Sequence, residues 1–163
     1  MSLANTLEYL FPGIQLVPGG DCEIVEGRIS VWRKQEARPT DAEIQAASIP
    51  AARAAIWERI KAERDRRIQE QGYVAGGKRF HGDTFSRTQQ MGLVMLGANI
   101  PPGLQWKTMD GSFITMTTTL AQQVFAAAAA SDVALFGYAE VLRAQVNAAE
   151  DPSSVDITAG WPA

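Results

Sequence analysis

The stretch from Pro50 to Gln71 constrains this chain more than any other. It keeps helical spacing for over twenty residues, yet carries only a narrow apolar stripe: Ile49, Ala52, Ile56, Ile60 and Ile68. Around that stripe stand Glu58, Arg59, Lys61, Glu63, Arg64, Asp65, Arg66, Arg67 and Glu70. So charged a helix fits a globular centre poorly, and its one apolar edge is too narrow to bury both sheets. It suits a linker helix or a coiled-coil seam, with a solvated helix covering a sheet by one edge as the alternative. Pro50 fits the first turn of this helix and Gly72 its stop. A separate short helix is expected from Asp41 to about Ala47, started by the capping box Thr40-Asp41-Ala42-Glu43.

The regions on either side follow from turn chemistry. Leu3, Leu7 and Leu10 mark a short helix ended by Phe11-Pro12-Gly13. Three extended runs come next, Ile14–Val17, Asp21–Val25 and Arg28–Lys34, separated by Pro18-Gly19-Gly20 and Glu26-Gly27. They predict a small antiparallel meander, with Ile29 and Val31 on one face and Arg28, Ser30 and Trp32 on the other. Beyond Gly72, the Gly76-Gly77 pair predicts a hairpin over Tyr73–Phe80, since two adjacent glycines supply the positive φ of a primed turn. Asp83 or Thr84 caps a helix over 85–96, with Phe85, Gln89, Leu93 and Leu96 along one face. Met109-Asp110-Gly111 joins a second hairpin, and an Ala-rich amphipathic helix runs from about Thr119 to Ala148.

The expected fold class is therefore α+β. An N-terminal β meander (1–38) leads through a helical linker (39–72) into a hairpin-helix-hairpin-helix domain (73–149) and a polar tail (150–163). Composition agrees with a packed protein, since 46% of the 163 residues are hydrophobic. The net charge of −3 gives no electrostatic footprint for nucleic acid, and none is expected as a partner. Met1 to Leu10 lack the pattern of a signal peptide, and the apolar run Phe125–Ala134 is broken by Ser131 and Asp132. No membrane segment is expected.

The search for chemistry ends in structural explanations. His81 is the sole histidine and Cys22 the sole cysteine, too few ligands for zinc. His81 and Asp83 suit a turn or cap, and no nucleophile motif accompanies them. Asp21 and Glu23 flank Cys22 and disfavour its thiolate. Gly76-Gly77-Lys78 lacks the spacing of a phosphate loop. No catalytic residue, metal or cofactor is expected, and the chain is read as a non-enzyme.

What remains is binding. Trp161 lies near a polar end with no local core to join, so it either docks on its own domain or anchors a partner, together with Ile157 and Pro162. The stripe residues Ile56, Ile60 and Ile68 are candidates for self-association through the charged helix. Phe11, Trp32, Trp57 and Trp106 are expected in cores.

One ordered combination points further. Arg66-Arg67, Gly72-Tyr73, the Gly-Gly-Lys78-Arg79-Phe80 turn, Asp83-Thr84-Phe85-Ser86-Arg87, Gln105-Trp106-Lys107, Asp110-Gly111 and the Ala-rich helix follow one another along the chain. This resembles an uncharacterised domain of tail-fibre and tail-assembly proteins of tailed bacteriophages. The Arg38-Pro39-Thr40-Asp41-Ala42-Glu43-Ile44 segment and the ending Asp156–Pro162 are similar to small phage tail accessory proteins. The resemblance implies synthesis in the bacterial host cytoplasm, tail or tail-fibre partners, and a place in the virion as a baseplate or fibre-associated structural protein. A fibre-assembly chaperone that leaves before maturation is the alternative.

Overall fold

The computed structural model describes residues 2–163. Its elements, in chain order, are α1 (Leu3–Leu10), β1 (Cys22–Val25), β2 (Arg28–Trp32), α2 (Asp41–Glu70), β3 (Tyr73–Ala75), β4 (Lys78–Phe80), α3 (Thr84–Leu96), β5 (Gln105–Lys107), β6 (Phe113–Thr115) and α4 (Thr118–Ala148). The fold is α+β. Its strands form three separate antiparallel hairpins, β1-β2, β3-β4 and β5-β6. The chain divides into two compact units. One holds the residues up to Ile60 with Leu142–Ile157, the other Lys61–Val141 with Thr158–Ala163. The division falls inside α2 and α4, and the polar C-terminal residues are shared between the units; the boundaries read from sequence lay at 38, 72 and 149.

In the first unit, Leu7, Ile14, Cys22 and Ile29 form a small core. The expected three-stranded meander is a two-stranded hairpin. Ile14–Val17 pairs as no strand because the chain doubles back at once: Gly20 N donates to Val17 O at 2.9 Å and Cys22 N to Gln15 O at 3.2 Å. The hairpin itself turns at Glu26-Gly27, both at positive φ. Its register shifts, with Glu23 opposite Val31 but Ile24 opposite Ile29, which leaves Ser30 as an extra residue. Such a bulge interrupts the two-residue alternation of faces. Trp32 accordingly packs on the same core as Ile29, not on the opposite face, and meets Phe11 edge to face at 5.1 Å.

Helix α2 begins as expected. Thr40 N donates to Glu43 Oε2 at 2.8 Å, and Glu43 N donates to Thr40 Oγ1 at 3.2 Å. The two predicted helices are one, however, and Pro50 lies inside it. Proline removes a single backbone donor and crowds the preceding turn, at a cost of roughly 3 kcal/mol. The neighbours offset that cost: Ala46, Ala51, Ala52, Ala54 and Ala55 are strong helix formers, and Ala47 and Ala51 are buried.

The second unit contains a buried cluster larger than that around Leu7. Tyr73, Phe80, Leu93, Ile100, Met116, Leu120 and Val124 are its main buried members. The β3-β4 turn uses Gly76 and Gly77 at φ 54° and 73°, and a Cβ at Gly76 would lie 2.7 Å from Leu120 Cδ1. The two hairpins of this unit are tied together. Met109 N donates to Arg79 O at 2.9 Å, and Lys78 Nζ donates to Asp110 Oδ2 at 2.8 Å. Lys78, with Thr108 and Ser112, holds the Asp110 carboxyl well below the usual carboxylate range. Leu120, Val124, Ala128 and Leu135 make the buried stripe of α4 in this unit.

Candidate partner-binding surfaces

The residues singled out for chemistry take structural roles. Asp83 caps α3, accepting from Ser86 N at 2.9 Å and Ser86 Oγ at 2.6 Å. The His81 carbonyl accepts from Gln90 Nε2 at 3.1 Å. Cys22 is fully buried, and burial pushes its thiol pKa up, away from the nucleophilic thiolate. Lys78 belongs to a strand and pairs with Asp110, so the Gly-Gly-Lys segment is a hairpin turn. Among the described residues, no group of three or more His, Cys, Asp or Glu could hold a metal ion.

The candidate binding residues fall into two sets. Ile56, Ile60 and Ile157 belong to the first unit and are buried, so they present no free surface to a partner. Ile68, Trp161 and Pro162 belong to the second unit and are half-buried. Trp161 has found a seat on its own unit. Its ring meets Tyr138 edge to face at 5.2 Å, and the Arg67 guanidinium lies 5.4 Å from its centroid. Gln71 Nε2 donates to Pro162 O at 2.9 Å, and Tyr138 Oη donates to Ala159 O at 3.0 Å. Gly160, at φ 78°, gives the chain the close approach to Tyr138 that any side chain would block. The polar ending, for which docking on its own domain was one of the two expectations, is thus strapped down through its backbone carbonyls, by partners that no local sequence pattern announces.

Charge on α2 is mostly self-neutralised. Arg66 bridges Glu63 and Glu70 at 2.8 and 2.7 Å, and Arg67 joins Glu63 at 2.7 Å. The Arg66 guanidinium, against the opposing cost of partial burial and with help from Arg67, lowers the Glu63 carboxyl to about 2.

The surface that sequence reasoning missed lies on α3. The expected buried face of Phe85, Gln89, Leu93 and Leu96 is rotated: Gln90 and Leu93 are buried, whereas Phe85 is 71% exposed. The reason is a polar need. The Tyr73 hydroxyl donates to Gln90 Oε1 while Gln90 donates to His81 O, so the inward amide satisfies two groups that would otherwise be buried unpaired. Arg87 holds Asp132 through two bonds at 2.6 and 2.9 Å and donates to Gly82 O at 2.7 Å, fixing α3 against α4. Turning Gln90 inward leaves Met91 half-exposed beside Phe125, and both line an open groove of about 320 Å³ with Ile68 and Ala128. Met95, at 81% exposure, lies further along α3. An amphipathicity reading misses this surface because it assumes that the apolar side of a helix is the buried one.

Helix α4, at 31 residues, is long and apolar enough to cross a membrane by length and composition alone, although only a small share of its most apolar window is buried. A core helix of a soluble protein passes the same test.

No curated protein and no solved structure matches the chain. Residues 51–159 match the family model described as a domain of unknown function, DUF4376. That match takes in both hairpins of the second unit, all of α3 and α4, and α2 from Ala51 onward. It spans more than half of the chain, and the protein belongs to the DUF4376 family.

Proposed function

We propose that the chain is a non-enzymatic structural protein of a bacteriophage tail, a baseplate or fibre-associated adaptor that works through protein–protein contacts. The observation that carries this reading is the exposed apolar side chains of the second unit: Met91 and Phe125 line one open groove, and Phe85 and Met95 are exposed elsewhere on α3. Methionine and aromatic side chains on an exposed face are the composition of an interface core, and methionine adapts its shape to a partner at low cost. The motifs behind the tail resemblance, from Tyr73 through Asp110-Gly111, lie in this same unit. On this reading the chain is made in the bacterial host cytoplasm and enters the tail during assembly.

Mass spectrometry of purified virions tests the proposal. Fixed stoichiometry with the neighbouring tail proteins is the expected result. Presence in tail-assembly intermediates but not in virions would support the chaperone alternative, and absence from both would reject a tail role. Replacing Met91 and Met95 by Gln should weaken co-purification with tail partners at least about tenfold, with little change in melting temperature.

A further inference from the structure

The first unit contains a cleft with unused polar groups. On α2, Ser48, Ala52, Ala55, Ile56 and Arg59 share one helix face and line it, joined by Ser2, Asn5 and Ser153. No carboxylate is among these lining residues. Three of the polar groups are uncommitted among the described residues. The Ser2 hydroxyl makes no cap hydrogen bond, the Asn5 side-chain amide makes none, and Arg59 forms no ion pair. By contrast Arg64, Arg66, Arg67 and Arg87 are all held by carboxylates.

A lone guanidinium beside neutral donors, with no counter-charge in the same wall, is complementary to an oxyanion. Ala52, Ala55 and Ile56 add an apolar side that inorganic phosphate would leave unused. The cleft measures about 170 Å³, the room of about six waters at roughly 30 Å³ each. We propose that this cleft binds a short-chain carboxylate, its oxygens on Arg59 and Asn5 and its hydrocarbon against Ala52, Ala55 and Ile56. The inference is independent of the tail reading. A free metabolite and the carboxy-terminal residue of a partner chain share this chemistry.

Amide-resolved NMR titration of the full chain tests it, with propionate, its neutral isostere propionamide and inorganic phosphate as probes. Propionate should give saturable shifts at Asn5 and Arg59 with Kd on the order of 1 mM, and propionamide should bind at least about tenfold more weakly. Arg59→Gln should cut propionate affinity about tenfold, while Arg59→Lys keeps part of it. Arg59 is exposed, so neither variant should disturb the fold, which a melting curve checks. If propionate and propionamide bind alike, if Arg59→Gln binds as the parent does, or if no saturable shifts occur, the site is rejected. Phosphate binding more tightly than propionate would overturn the carboxylate assignment. A free N-acetylalanine competing equally with an alanine-terminated peptide would identify a metabolite site; preference for the peptide would identify a partner's terminus.

Discussion

The two units hold their hairpins in different ways. In the first, one bulged hairpin and a doubled-back loop close over four buried residues, Leu7, Ile14, Cys22 and Ile29. In the second, two regular hairpins are bonded to each other through Lys78–Asp110 and Met109–Arg79, above a core that includes Phe80 and Val124. Regular hairpins need only a correct turn and alternating side chains, whereas the bulged one needs the core to choose which face Trp32 takes. The second unit should accordingly be the more cooperative of the two.

The sharpest way to break that contrast is to empty each core in turn. Phe80 is fully buried at the centre of the second unit, and Phe80→Ala should cost about 3–5 kcal/mol in denaturant unfolding. Hydrogen exchange should show lost protection across β3 to β6. Leu7 is also fully buried, but its cluster holds only four buried residues and a leucine is a smaller side chain to lose. Leu7→Ala should therefore fall nearer 2–3 kcal/mol, with the exchange increase confined to the first unit. Equal costs, or exchange spreading across both units after either change, would show that they unfold as one.

Smaller effects sharpen the comparison at the chain's end. Trp161→Ala removes an edge-to-face contact with Tyr138 and should cost about 1 kcal/mol. Amides of residues 158–163 should exchange faster while the first unit is untouched. An unchanged melting curve together with lost partner binding would instead place Trp161 in an interface. The least effect is expected from the charged surface of α2. The Glu63 pKa is lowered to about 2, so its contribution is present above the unfolded carboxylate range near pH 4 and is lost as pH falls toward 2. Arg66 is half-exposed, and solvent screening keeps this contribution small. Glu63→Gln should flatten the melting temperature between pH 5 and 2, and an unchanged acid slope would remove Glu63 from the account.

Several features were legible because they depend on neighbours in sequence. The Thr40–Glu43 capping box, the Asp83 cap, the Gly76-Gly77 turn and the Asp110-Gly111 loop each require only a few residues to satisfy their own backbone groups. The α+β class followed from those elements. The candidate site was legible in part. The aromatic near the C-terminal end was found, but its seat was not, because Tyr138 and Arg67 are remote in sequence.

Sequence alone determined the Thr40–Glu43 capping box, the Asp83 cap and the turns at Glu26-Gly27, Gly76-Gly77 and Asp110-Gly111. Only tertiary structure decided that Pro50 lies within one helix, that Ser30 bulges, that Gln90 is buried in place of Phe85, and that Trp161 rests on its own unit. The physical reason is the same in each case. A proline, an extra strand residue, an inward amide and a terminal indole all carry a local cost or leave an option open, and only contacts made across the fold offset or settle it.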